Sequence, residues 1–125
     1  MITGIYTRDR EARVRLQVLG SKHNSRQIEA IIDTGFTGYL TLPSATISSL
    51  GLGWRGREQA VLADGSLQQF DVYAGRVRWG TQIRTVEVDA CNYEPLIGMS
   101  LIEGHELRIQ AVEGGLVTIE PVRFA

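Results

Sequence analysis

One segment of the chain has a residue pattern suited to chemistry, Ala30-Ile31-Ile32-Asp33-Thr34-Gly35. An apolar run ending in a carboxylate holds that carboxylate at a strand end in surroundings of low polarity. Gly35 lets a second backbone approach closely and offers its N–H to the carboxylate, while Thr34 brings a hydroxyl that can bond across to a partner loop. Carboxylates alone hydrolyse an amide when two of them reach one water. At about 3 Å two like charges do not both ionise, so the pair holds one proton between them. The ionised member then takes a proton from water, and the protonated member donates to the scissile carbonyl. A single Asp-Thr-Gly supplies half of such a pair, and an isologous dimer is the simplest source of the other half.

The remaining candidates read more plainly. Asp64-Gly65-Ser66 has the wrong order for a second catalytic loop, and it lies between two β-patterned runs, Glu58 to Ala63 and Ser66 to Tyr73. Asp-Gly there predicts a two-residue hairpin turn on a projecting ribbon. A phospho-aspartyl transferase also sets Asp before Thr-Gly, but that chemistry needs further magnesium-binding carboxylates and a larger nucleotide-handling body. His23 and His105 are isolated, fall in expected turns and read as surface residues, so no metal is expected. Cys91 stands alone and reads as a partly buried small apolar residue. Trp54 and Trp79 read as packing residues.

The elements that must position Asp33 follow from periodicity. Arg13 to Gly20 alternates polar and apolar residues, and Gln27 to Asp33 is a second short apolar strand, so the two predict a hairpin around Ser21 to Ser25. That hairpin delivers Asp33 to a strand end. Leu40-Thr41-Leu42 is followed by Pro43 to Leu50, a short helix marked by Pro near its start and Gly51 just past its end. Gly75 to Trp79 and Thr81 to Ala90 continue the β pattern, and Pro95-Leu96-Ile97-Gly98 ends a strand. Met99 to Glu103 allows one helical turn or two, and Glu106 to Ala111 with Leu116 to Pro121 forms a closing hairpin over Glu113-Gly114-Gly115. The expectation is a mainly β chain of roughly seven to nine strands.

Composition narrows the class. The chain has 125 residues, enough for one domain with a modest core. Its 13 basic and 14 acidic residues are dispersed, for a net charge of -1, which gives no reason to expect nucleic acid or an anionic membrane as partner. One cysteine permits no intrachain disulfide and no cysteine-rich metal site, and neither an apolar leader nor a membrane-length apolar run is present. A cytoplasmic protein without a cofactor is expected.

Ile31-Ile32-Asp33-Thr34-Gly35 resembles the apolar-apolar-Asp-Thr-Gly active-site loop of the retropepsin-like aspartic peptidases. Downstream, Leu96-Ile97-Gly98 resembles the family's second apolar-apolar-Gly element, and the Asp64-Gly65 hairpin lies between the two, where the family has its flap. The order covers nearly the whole chain. The resemblance implies a single domain over 1–125, with a small closed or partly open β-barrel-like acid-protease fold, a flap hairpin and one or two short helices. It implies Asp33 as the catalytic carboxylate, Thr34 and Gly35 as its loop, and Ala63, Asp64, Gly65 and Ser66 as the flap. Leu96, Ile97 and Gly98 would pass beneath the loop, Gly98 because a side chain would collide with the backbone carrying Asp33.

Members of this size are homodimers, each subunit giving one Asp to a cleft that takes an extended peptide. Two departures stand out, Phe36 where Ala or Ser is more usual and Met99-Ser100 where retroviral members have Arg-Asn. Both bring the chain closer to cellular, bacterial-type relatives. The competing readings are an inactive dimeric module that binds peptide by strand addition, and a structural partner domain.

Overall fold

In the computed structural model, which describes residues 1–123, ten strands and two short helices follow one another. The strands are β1 (Ile2–Tyr6), β2 (Ala12–Leu19), β3 (Ser25–Ile32), β4 (Leu40–Leu42), β5 (Gly53–Val61), β6 (Leu67–Trp79), β7 (Gln82–Ala90), β8 (Leu96–Ile97), β9 (His105–Ile109) and β10 (Leu116–Pro121). Helix α1 (Ser44–Leu50) follows β4, and the single turn α2 (Met99–Ile102) follows β8. The chain is mainly β, as its periodicity predicts.

Alternation builds the core. On β2 the side chains of Ala12, Val14, Leu16 and Val18 are buried, while those between them face outward. Leu40, Leu42, Val77, Val88, Ile97, Leu101 and Ile119 complete one apolar cluster. α1 starts after Pro43 and ends at Gly51, whose φ of 67° is a left-handed conformation that favours glycine, and it buries Ile47 and Leu50.

The strands close into a ring. β2 pairs along one edge with β3, and its other edge is divided between β1 at Ala12 to Val14 and β6 at Gln17 to Leu19. β6 pairs with β7, β7 with β4 in parallel, β4 with β8, and β8 with β3 in parallel, which returns to β2. Val18 faces Val77 across the β2–β6 closure, and both are fully buried. Burying two such side chains contributes about 1.5–3 kcal/mol each, against about 1 kcal/mol net for a ladder hydrogen bond, so apolar contact holds the closure. β1, β10 and β9 extend the sheet from β2, and β5 extends it from β6.

Several expectations are corrected. The runs expected at Ser66 to Tyr73 and Gly75 to Trp79 merge into one strand of 13 residues, Leu67–Trp79, because β6 spans both the projecting ribbon and the ring. β1 is an additional strand, paired on both sides by β2 and β10. The turn at Asp64 has three residues and not two: Gly65 N–H bonds Leu62 O, Leu62 N–H bonds Ser66 O, and Gly65 takes a φ of 84°. This is a type I turn closed by a left-handed glycine, the usual solution for a three-residue hairpin loop. Asp64 accepts from the N–H and hydroxyl of Ser66, bonds that hold its carboxyl below the ordinary carboxylate range.

Candidate active site

Asp33 directly follows β3, and its position is set by the pairing of β3 with β8. β3 runs parallel to β8, with Ile31 beside Leu96 and Ile32 beside Ile97. The Asp33 N–H continues that ladder by donating to Ile97 O at 2.9 Å. The chain then turns, with Phe36 N–H bonding Asp33 O at 3.1 Å and Gly35 N–H donating to Asp33 Oδ1 at 2.9 Å. The carboxylate is thus half-buried and held from its own loop, while Thr34 and Gly35 are exposed.

The segment from Gly98 to Ser100 fastens the rest of the loop. Gly98 N–H donates to Tyr39 O at 3.0 Å, Met99 N–H to Phe36 O at 2.8 Å, and Ser100 N–H to Gly38 O at 3.1 Å. The Ser100 hydroxyl donates to Thr37 O. Gly98 passes against the loop so closely that a Cβ there would lie 2.1 Å from Gly38 O and 2.6 Å from Phe36 Cδ2. A Cβ on Gly38 would lie 2.5 Å from Phe36 Cζ. The Phe36 ring therefore fills space that two glycines leave open. Phe36 and Ser100, legible in the sequence only as departures from a familiar pattern, both take part in holding the loop.

A cleft of about 870 Å³ lies between this loop and the ribbon formed by β5 and β6. Gly35 to Tyr39 form one wall, and Glu58 to Val61 with Gln68 to Asp71 form another. Asp33 does not line the cleft; it lies two positions before Gly35, the first residue of that wall in the sequence. The turn at Ala63 to Ser66 lies at the far end of the ribbon, beyond the residues that line the cleft.

Four carboxylates line the cleft, Glu58, Asp71, Glu87 and Asp89, and none of them is distinguished by the sequence. Asp89 has its carboxyl raised from 3.8 to about 6, first by burial and then by the negative charges of Glu58 and Glu87. Val86-Glu87-Val88-Asp89 reads as an ordinary alternating strand. Only the pairing of β7 with both β4 and β6 reveals that Asp89 is half-buried.

Other expectations are resolved by burial. Trp79 is a packing residue at 4% exposure, whereas Trp54 is 61% exposed and uses its indole N–H to bond Asp71. His105 is not a turn residue on the surface: it begins β9, is half-buried, and accepts the Trp79 indole N–H at Nε2, 3.1 Å away. His23 occupies an exposed turn in left-handed conformation. Cys91 is half-buried and receives the Tyr93 N–H at its sulfur. Among the described residues no group of three His, Cys, Asp or Glu side chains is placed to hold a metal ion, and no helix is long and apolar enough to cross a membrane.

No protein-family model and no curated protein matches the chain by sequence. The ring of strands, the loop bearing Asp33 and the crossing segment at Gly98 together define a retropepsin-like fold. Among solved structures the chain is similar to a retropepsin-like aspartic protease from Rickettsia conorii, with a TM-score of 0.57 and 15% identity. The likeness covers 98% of this chain and 91% of that one.

Proposed function

We propose that the chain is one subunit of a homodimeric aspartic endopeptidase, in which each subunit contributes Asp33 to a shared site. The observation that supports this reading is the anchored carboxylate itself. Asp33 is fixed by the Gly35 N–H on a loop that is tied to Gly98 and Ser100 and forms one wall of the cleft. One such carboxylate per chain is half of a pair, and a two-fold axis would supply the other half.

In the dimer the two Asp33 carboxylates hold one proton and one water between them. The ionised carboxylate removes a proton from the water as its oxygen attacks the scissile carbonyl carbon, and the protonated carboxylate gives its proton to the carbonyl oxygen. The resulting gem-diol collapses with cleavage of the C–N bond. A hydroxyl proton returns to the dyad, and the leaving amine is protonated from it. The ribbon carrying Ala63 to Ser66 acts as the flap, closing over an extended peptide and excluding water. The single cysteine fits a reducing cytoplasm.

The test is cleavage of a mixed peptide library by the parent chain and by Asp33→Asn. Turnover is expected from the parent, insensitive to chelators and blocked by pepstatin-like mimics of the tetrahedral intermediate. Equal cleavage by the Asn variant, or inhibition by the chelator alone, would overturn the reading.

A further inference from the structure

Strand β5 does not run straight. Trp54 faces Tyr73 and Gly56 faces Val72, which leaves Arg55 as an extra residue in the ladder, a β-bulge. Gly56 takes a φ of 151°, while a Cβ built on it would meet nothing within 4 Å. Conformation, not space, favours glycine there. The bulge lies where the ribbon leaves the body of the protein. From Arg57 to Asp71 no residue is buried, whereas Val72, Gly75, Val77 and Trp79, further along β6, are. Core packing therefore does not set the angle of the ribbon over the cleft.

One side chain does bridge the bulge. Asp71 Oδ1 accepts the Trp54 indole N–H at 3.1 Å from the body side and the Arg57 Nε–H at 3.4 Å from the ribbon side. Arg57 and Asp71 are direct cross-strand partners, and Trp54 reaches over the extra residue to the same oxygen. This contact also gives a role to Trp54, whose ring is otherwise largely exposed.

We infer that the bulge at Arg55-Gly56 is the hinge of the ribbon, and that Asp71 is the positioning residue that clasps it by holding Trp54 and Arg57 together. The importance of the clasp for a substrate rests on the proposed peptidase reading. The hinge itself does not, and it is tested without turnover.

Hydrogen–deuterium exchange is followed on the full chain without peptide, comparing ribbon amides (57–71) with body amides in β2 and β3. Trp54→Phe keeps the ring and removes one donor, Asp71→Ala removes the acceptor, and Asp71→Asn keeps an acceptor for Trp54. Trp54→Phe and Asp71→Ala are expected to speed ribbon exchange roughly threefold to tenfold with body exchange and Tm unchanged, and Asp71→Asn by less. Gly56→Ala, which adds no clash, is expected to change ribbon exchange through backbone conformation alone. Ribbon exchange unchanged in Trp54→Phe and Asp71→Ala would overturn the clasp, as would an equal rise across the whole molecule. Unchanged exchange in Gly56→Ala would overturn the hinge. Because none of these readouts requires cleavage, an inactive parent chain refutes the peptidase reading and leaves this one standing or falling on its own data.

Discussion

Gly98 and Gly38 are in backbone contact that leaves no room for a side chain on the former: a Cβ at 98 would lie 2.1 Å from the Gly38 carbonyl oxygen. Gly98 itself has an ordinary φ of -99°, so steric exclusion is the reason for glycine here. The carbonyl cannot move away cheaply, because it accepts the Ser100 N–H. Gly98→Ala is therefore expected to destabilise the fold by about 3 kcal/mol or more, seen as a lowered urea midpoint. Gly53→Ala, on a strand with open space around the new Cβ, is the control and should stay within about 0.5 kcal/mol of the parent.

Asp89 gives a pH-dependent stability whose sign differs from that of most carboxylates. Its folded-state value of about 6 exceeds the ordinary 3.8, so between those two values the folded chain binds more protons than the unfolded one. Stability from this group is thus fully present below about pH 4 and is lost as pH rises through about 6. The full shift corresponds to about 3 kcal/mol, and contact with solvent screens it to about 1 kcal/mol. Asp89→Asn should raise the urea midpoint at pH 7 to 8 by that order and leave it unchanged near pH 3.5.

In the proposed pair of carboxylates, Asn at 33 would preserve the oxygen that accepts the Gly35 N–H and remove the base. Asp33→Asn should keep Tm within about 2 °C and the sedimentation coefficient of a dimer, while turnover disappears at every pH. The parent should show a bell-shaped pH–rate profile whose limbs belong to the dyad as a unit. A monomer that retains full activity on dilution would exclude a shared site.

His105 is fixed as one tautomer by its partners. Nε2 receives the Trp79 N–H, so Nδ1 carries the proton and donates to Glu103 O at 3.1 Å. Nitrogen-15 shifts should identify the Nδ1–H tautomer. His105→Ala leaves the indole N–H of a buried Trp79 without its acceptor and should cost about 1–3 kcal/mol.

Much of this architecture is legible in the sequence wherever one strand face is buried. The alternation at Arg13 to Gly20, the helix between Pro43 and Gly51, and the closing hairpin at Glu113 to Gly115 all stand where periodicity and turn residues predict them. Asp33 and Gly98 are legible as a motif pair. What escapes is set by tertiary pairing. β1 is too short and too mixed, Ile-Thr-Gly-Ile-Tyr, to announce itself without β2 and β10 beside it. Trp54 looks like any core aromatic until the ribbon is seen to project, and His105 looks like a loop residue until Trp79 is placed against it. Asp89 has no local signal at all, since its partial burial depends on strands drawn from three distant parts of the chain.

The parallel pairing of β3 with β8 has a consequence for how the protein is made. Asp33 leaves the ribosome well before the residues that hold its loop, and at about 5–20 residues per second the wait until Ser100 is roughly 3–13 s. Until those residues emerge, Asp33 lacks the Ile97 carbonyl, and Thr37, Gly38 and Tyr39 further along the loop lack Gly98 and Ser100 as hydrogen-bonding partners. A growing chain therefore carries the Asp33 carboxylate before it carries the segment that fixes its loop.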